Sequence, residues 1–212
     1  ESRMDFWFCM RVFRLMPAAL PLFFLLSGCS GDPKPAAVEP PPEPVPALSA
    51  FSGMYAHARA WAPDVELLRV AQIDVDGVQA EGGKAAAWEA DFVSRATGRV
   101  RRFTYSVVHQ PERNLRRGVS AQVEARWAGG GGSEPFNVQA FRKDSTVAYE
   151  TAMKKGREYA RKNPQAPVKL VLEKTNRFAS PAWRVYWGES VSTSGFSVFV
   201  DATTGDFLGT SR

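Results

Sequence analysis

Few side chains in this sequence could hold a metal ion or attack a substrate. The 212 residues contain two cysteines and two histidines: Cys9, Cys29, His57 and His109. A structural zinc site usually takes four such ligands, and a disulfide framework needs more cysteines. The sequence has no Gly-x-Ser-x-Gly motif, and its four glycines 129–132 lack the Lys-Ser/Thr of a phosphate-binding loop, which favours a hairpin tip. We therefore predict no catalytic residues, no metal site and no cofactor.

A further candidate for chemistry is Asp74-Val75-Asp76-Gly77, which is similar to part of a calcium-binding loop. A complete loop needs additional oxygen ligands and a later glutamate. We predict a turn at the end of a strand instead.

Arginines are crowded into one stretch of the chain and could bind an anionic surface. They are Arg95, Arg99, Arg101, Arg102, Arg113, Arg116 and Arg117. Basic residues also dominate a predicted helix, at Lys154, Lys155, Arg157, Arg161 and Lys162. The net charge is +5 at pH 7, so these groups could face anionic lipid, lipopolysaccharide or a cell-wall polymer. The alternative is that they are simply solvated.

The N-terminal residues have the pattern of a secretory signal that starts at Met10 or, less favourably, at Met4. Arg11 and Arg14 precede an apolar run of about 12 residues, which is too short to span a bilayer as a helix. The residues that follow are Leu26, Ser27, Gly28 and Cys29. Export makes nucleic acid an unexpected partner.

Leu26-Ser27-Gly28-Cys29 resembles the lipobox of bacterial lipoproteins. The resemblance implies a signal peptide over 1–28, a diacylglycerol thioether on Cys29, and an acyl chain such as palmitate on its amino group. Acyl chains would anchor the protein to a membrane. If the host is Gram-negative, Ser30 in place of aspartate implies the periplasmic face of the outer membrane.

Residues 29–46 are predicted to be the lipidated cysteine and a proline-rich linker. Its prolines are Pro33, Pro35, Pro40, Pro41, Pro42, Pro44 and Pro46. Such a segment favours an extended polyproline II conformation and cannot build a core. We predict that it is a spacer between the membrane and the folded part.

Behind the linker, the sequence predicts a helix followed by strands, and then the same order again. The first helix carries Phe51 and Trp61 on one face, with Ser49 as its N-cap. The second begins at Ser145 or Thr146. The predicted strands are 65–75, 88–93, 100–108, 119–127 and 136–141, then 168–172, 183–187, 196–200 and 207–208.

The two halves can be aligned, which predicts an internal duplication. Trp88 corresponds to Trp183, and residues 93–100 correspond to residues 200–207. We predict an α+β protein with two tandem units, 47–142 and 143–212, each a helix packed on an antiparallel sheet. The first unit has an extra hairpin.

Residues 182–187 and 196–207 resemble a PepSY-type domain, whose strand ends in a Val-Asp-Ala-x-Thr-Gly turn. The resemblance covers 145–210 and is weaker over 47–108. It implies a cystatin-like α+β unit outside the cytoplasm, without catalytic residues. In the turn Asp201 can accept backbone hydrogen bonds, Thr204 follows, and Gly205 can adopt a positive φ. The first unit lacks this acidic residue and has Ser94 and Arg95 near the position.

These observations predict a non-catalytic, membrane-anchored periplasmic lipoprotein. It would bind or regulate an envelope protein, such as a protease or a cell-wall enzyme. One alternative is a binder of anionic envelope polymer or lipid through an arginine-rich face, and another is a structural envelope component. Trp127 and Trp187 are candidates for a protein interface, although their phase also suits a core position.

Overall fold

The computed structural model describes residues 42–212. The predicted signal peptide, the lipobox residues Leu26, Ser27, Gly28 and Cys29, and the linker as far as residue 41 lie outside this part of the chain. Within the described residues no helix is long and apolar enough to cross a membrane.

Helices and strands follow one another in the predicted order. The helices are α1 (Ala47–Trp61), α2 (Ser145–Lys155) and α3 (Arg157–Lys162). The strands of the first half are β1 (Val45–Pro46), β2 (Val65–Ile73), β3 (Lys84–Ala85), β4 (Ala87–Ser94), β5 (Arg99–Ser106), β6 (Gly118–Ala121) and β7 (Ala125–Arg126). Those of the second half are β8 (Val168–Glu173), β9 (Ala182–Trp187), β10 (Phe196–Asp201) and β11 (Phe207–Ser211).

All strands except β1 and β3 belong to one antiparallel sheet of nine strands. Its order is β11-β10-β9-β8-β2-β4-β5-β6, with β7 also paired to β5. The order is symmetric, because each half places its four main strands one after another outwards from the centre. At the centre β2 pairs with β8, with Val70 opposite Leu172 and Ala71 opposite Val171. The α+β prediction is confirmed, and the two halves share one continuous sheet.

Equivalent tryptophans fix the helix of each half to its sheet. The indole Nε1 of Trp88 donates to the carbonyl of Val45 at 2.9 Å. The indole Nε1 of Trp183 donates to the carbonyl of Lys143 at 2.8 Å. Each acceptor lies two residues before a helix, and the two rings meet edge to face with centroids 6.3 Å apart. The matching contacts support the internal duplication.

The core lies between the helices and one face of the sheet. Helix α1 packs on β4 and β5, and α2 packs on β9 and β10. Small residues such as Ala148 and Ala152 let α2 approach the sheet closely, and the strands fill the remaining space with buried aromatics. These include Trp88, Phe92, Phe103, Trp183 and Trp187.

The N-termini of α1 and α2 meet and share their capping groups, which corrects the predicted caps. Asp144, not Ser145 or Thr146, is the N-cap of α2, and Pro46 occupies that position for α1. The Ser145 hydroxyl accepts from the amide of Ala47 at 2.9 Å. Asp144 Oδ1 accepts from the amides of Leu48 at 3.0 Å and Ser145 at 2.7 Å. Ser49 lies inside α1, because the second half supplies the acceptors that its first turn needs.

The predicted strand over 119–127 is wrong in its middle. The chain pairs with β5 at β6 and again at β7, but the side chain of Val123 is 92% exposed. Glu124 instead turns towards α1, where it accepts from Trp61 Nε1 at 2.7 Å. This hydrogen bond reverses the alternation, so the valine faces solvent.

The predicted strand over 136–141 and the predicted hairpin tip at 129–132 also need correction. Phe136 pairs with Leu67 through two backbone hydrogen bonds, of 2.8 and 2.9 Å. A 3-10 turn, Val138–Ala140, follows because Asn137 Oδ1 accepts from the amide of Gln139 at 2.8 Å. The glycine loop therefore crosses from the sheet edge at β7 back towards its centre, and all four of its residues have positive φ.

Candidate functional site

The turn after β10 has the backbone hydrogen bonds predicted for the Val-Asp-Ala-x-Thr-Gly pattern. Asp201 Oδ1 accepts from the amides of Thr203 at 2.7 Å and Thr204 at 2.9 Å. Gly205 has φ +86°, and the Thr204 hydroxyl accepts from the amide of Asp206 at 3.2 Å. Asp201 is buried. These contacts give the motif a structural role in holding the turn.

The first half builds the equivalent turn from two residues. Ser94 accepts from the amide of Thr97 at 3.2 Å and donates to Asp64 Oδ1 at 2.8 Å. Asp64 Oδ2 accepts from the amide of Ala96 at 2.9 Å. Asp64 thus supplies the carboxylate that the first turn lacks in its own sequence. The hydrogen bonds from Ala96 and Ser94 hold the pKa of the Asp64 carboxyl below its ordinary value of 3.8.

The seven predicted arginines do not share one face of the molecule. On β5, Arg101 lies on the helix side, where its Nε donates to the carbonyl of Gln122 at 2.9 Å. Its neighbour Arg102 points to the opposite face and holds both oxygens of Asp91, at 2.6 and 2.8 Å. Arg99 pairs with Glu124 at 2.9 Å.

The other arginines of this stretch are divided between the two ends of the sheet. Arg95 forms an ion pair with Glu66 at one end. Arg113 pairs with Asp76 at 2.7 Å at the other end. Arg116 and Arg117 are exposed just before β6. Because Arg95, Arg99, Arg102 and Arg113 have carboxylate partners, this stretch presents less free positive charge than its sequence indicates.

The predicted candidates His57, His109, Asp74 and Asp76 do not form a common site. His57 and His109 are both exposed. Asp74 pairs with Lys169 at 2.6 Å, whereas Asp76 pairs with Arg113. Among residues 42–212 no group of three or more His, Cys, Asp or Glu is placed to hold a metal ion.

A charged network occupies the sheet face opposite the helices, which no helix within 42–212 covers. This open face is defined by the outward residues of the central strands: Arg69, Ala71, Glu89, Asp91, Arg102, Lys169, Val171, Glu173, Arg184, Tyr186 and Phe199. Arg69 forms an ion pair with Glu89, and Arg102 lies 3.0 Å from the same carboxylate. Most of its charges are therefore matched within the sheet.

One part of the open face holds two arginines that form no ion pair within residues 42–212, although Glu173 lies near one of them. Arg177 and Arg184 both lie over the ring of Phe199, with guanidinium carbons 4.2 and 5.7 Å from its centroid. Arg184 donates to Ser197 at 2.9 Å and Ser194 at 3.1 Å, and Arg177 donates to a backbone carbonyl. Neither has an ion pair among the described residues. Burial lowers the pKa of the Arg184 guanidinium; the charge of nearby Glu173 opposes this shift, and Arg177 adds a smaller lowering effect.

The predictions missed this arginine pair. Arg184 lies between Trp183 and Val185 of β9, so the alternation already placed it on the face opposite the core. Arg177 lies in the loop before that strand, and no periodic pattern indicates where a loop residue points. No motif in the sequence distinguishes Phe199 from the other aromatic residue of β10.

Basic residues of α2 and α3 form a second charged surface. This basic helical face comprises Lys154, Lys155, Arg157, Arg161 and Lys162, all exposed. Within the described part of the chain none of the five forms an ion pair. Lys155 Nζ lies 4.8 Å from the ring centre of Phe207, which is 40% exposed.

The two predicted interface tryptophans have different surroundings. Trp187 is buried against Tyr159 and Phe196, so it belongs to the core. Trp127 is half-buried, and the Arg95 guanidinium lies 5.9 Å from its ring centre.

No family model and no curated protein matches this chain. Among solved structures, it is similar to the crystal structure of a candidate lipoprotein from Clostridium difficile 630. The two share 10% sequence identity with a TM-score of 0.49, over 82% of this chain and 95% of the other. The PepSY resemblance of residues 145–210 stays a prediction.

Proposed function

We propose that this chain is a lipid-anchored envelope protein whose folded body binds a protein partner without catalysing a reaction. The anchor is supported by Leu26-Ser27-Gly28-Cys29, which follows a basic segment and a short apolar run. In a Gram-negative host, Ser30 favours the periplasmic face of the outer membrane. Partners suggested by the PepSY resemblance are a protease or a cell-wall enzyme of the envelope.

Metabolic labelling with alkyne-palmitate tests the anchor. We expect the wild-type protein to take up the label and Cys29→Ala to lose it. Cys9→Ala is the matched control, because it removes the other cysteine of the chain and should leave labelling intact. Label that persists on Cys29→Ala, or a wild-type protein without label, would contradict the anchor.

The observation that carries the binding proposal is the Arg177–Arg184 pair on Phe199. An arginine fork fits a carboxylate through two parallel hydrogen bonds, and charge-assisted bonds of this kind are strong. Arginine and aromatic side chains also dominate the energetics of protein interfaces. The pair would receive an Asp or Glu side chain, or a C-terminal carboxylate, of the partner.

Affinity capture from solubilised envelope tests this site. The bait is the chain from residue 29 onwards with Cys29→Ser, compared with the same bait carrying Arg177→Glu or Arg184→Gln. Arg142→Glu is the control, since Arg142 is exposed and its variant changes the charge as Arg177→Glu does. Loss of a charge-assisted hydrogen bond costs about 1.5–3 kcal/mol, or about tenfold or more in affinity.

We expect one protein to be captured by the wild type and the control but not by the two arginine variants. Equal capture by all four baits would place the interface elsewhere. The alternative function, binding of anionic lipid or polymer, is favoured by a different observation, namely the basic helical face.

A further inference from the structure

The basic helical face differs from the arginine-rich stretch in bringing together five cations that form no ion pair within residues 42–212. In the arginine-rich stretch, Arg95, Arg99, Arg102 and Arg113 are held by carboxylates. On α2 and α3, five exposed cations have no such partner among residues 42–212, and Glu158 is the one acidic residue between the first and the last of them. Free and clustered charge attracts an anionic surface.

Apolar side chains flank these cations. Phe207, beside α2, is 40% exposed, and Val147, near the start of α2, is 37% exposed. Gly205 brings the turn between β10 and β11 against Val147, since a Cβ added to it would lie 3.5 Å from a methyl of that residue. Lys155 lies over the Phe207 ring. A basic surface with apolar residues at its edge is typical of segments that rest on a bilayer interface.

The basic helical face and the open face lie on opposite sides of the sheet. On β9, Trp183 and Val185 point towards α2, whereas Arg184 between them points away. A surface that contacts the helices therefore leaves the Arg177–Arg184 pair accessible.

The linker enters the folded body beside the N-terminus of α2. The amide of Ala47, the first residue of α1, donates to Ser145, the first residue of α2. From Ser145 to Arg161 the two helices extend at most about 24 Å, at about 1.5 Å per residue. The proline-rich segment 30–46 would reach about 50 Å when extended, at about 3.1 Å per residue. An anchor at Cys29 can therefore reach the membrane while this face lies on it.

We propose that the basic helical face rests on an anionic phospholipid surface and so turns the open face away from the membrane. This inference rests on the proposed lipid anchor and on protein binding by the open face. The lipid would be an anionic phospholipid such as phosphatidylglycerol, recognised by charge and by the apolar edge.

Vesicle co-sedimentation tests the surface without the anchor. The protein is the chain from residue 29 onwards with Cys29→Ser, which contains the compact unit Pro40–Arg212. The vesicles contain phosphatidylglycerol and phosphatidylcholine in equal parts, or phosphatidylcholine alone. We expect sedimentation with the anionic vesicles only, and weakening as salt is raised.

Two triple variants with the same loss of charge locate the surface. Lys154→Gln/Arg157→Gln/Arg161→Gln should weaken vesicle binding about 100-fold, since each cation near an anionic membrane contributes about fivefold. Lys169→Gln/Arg113→Gln/Arg116→Gln should change it little, because Lys169 lies on the open face and charges more than about 8 Å from the surface are screened at physiological salt. Circular dichroism shows whether both variants fold.

The inference is overturned if the wild type does not sediment with anionic vesicles, or if the second triple variant weakens binding as much as the first. Retention on lipopolysaccharide without vesicle binding would also overturn it, because the surface would then serve a polymer. These results leave the palmitate and capture experiments independent, so failure of the surface and failure of the proposed function are distinguishable.

Discussion

The turns after β4 and β10 show how one backbone shape is held by different residues. Asp201 binds the amides of Thr203 and Thr204 by itself. In the first half, Ser94 and Asp64 divide the same task between them. The role of Asp201 could be predicted, because its partners are local. The role of Asp64 could not, because it lies before β2 and reaches the turn only through the pairing of β2 with β4.

Substitution of Asp64 should change how stability depends on pH. Its pKa is lowered in the folded state, so its ionised form stabilises the fold above the unfolded pKa, and this contribution is lost as pH falls through the folded value. We expect Asp64→Asn to be less stable than the wild type near neutral pH, with a difference that shrinks below about pH 4. Urea unfolding at several pH values measures this.

Glu112→Gln is the control for that experiment, because Glu112 is an exposed carboxylate in a short 3-10 turn. It should follow the wild type at every pH. A difference between wild type and Asp64→Asn that stays constant down to about pH 3 would show that the carboxylate charge has no role in the turn.

The two core tryptophans should respond alike to substitution. Trp88→Phe and Trp183→Phe each leave a carbonyl near a helix start without its indole donor. An unsatisfied buried group costs about 1–3 kcal/mol of unfolding free energy, measured by chemical denaturation. A negligible cost at one of the two positions would contradict their equivalence.

At the scale of elements, hydrophobic periodicity predicted the strands correctly where a segment has a neighbouring strand on each side. The strands around Trp88, Trp183 and Val198 lie inside the sheet, and these three residues all point into the core beneath the helices. At the sheet edge it failed, because the hydrogen bond between Glu124 and Trp61 outweighs burial of Val123. The prediction of one continuous second helix is also wrong, since the chain divides into α2 and α3 at Gly156.

For Gly156→Ala, helix propensity alone would predict a higher unfolding free energy, whereas the packing around Gly156 predicts a lower one. Its φ is −95°, so an alanine meets no backbone strain, and in an open helix the change would stabilise by about 1 kcal/mol. Here an added Cβ would lie 2.6 Å from the Trp187 ring and 3.2 Å from Phe196. We expect Gly156→Ala to lower the unfolding free energy by about 1–3 kcal/mol.

Denaturant unfolding measures the effect, with Ala60→Gly as a control for helix propensity at an exposed position of α1. That control should cost about 1 kcal/mol from propensity alone. A stabilised Gly156→Ala protein would mean that Trp187 can move aside, and that close packing does not explain the break.

At the scale of the whole molecule, duplication could be predicted but its arrangement could not. The matched tryptophans and turns of the two halves are visible in the sequence. The junction of β2 with β8 is short, and backbone hydrogen bonds between strands leave little trace in residue type. Alternation in β9 places Arg184 opposite the core, but no periodic pattern shows that Arg177, in the loop before that strand, lies beside it.

The basic helical face and the open face define two opposite sides of the folded body. The basic helical face would lie on the membrane to which Cys29 is attached, and the open face would meet the partner. A photo-crosslinking amino acid in living cells tests both contacts in one measurement. It is placed at Asn176, exposed beside Arg177, or at Glu158, exposed within the basic helical face.

We predict that the probe at Asn176 gives one protein adduct, which disappears when Arg177→Glu is added, and that the probe at Glu158 gives lipid adducts. A protein adduct from Glu158 with none from Asn176 would contradict the account, because the partner would then bind the helices and the open face would have no binding role.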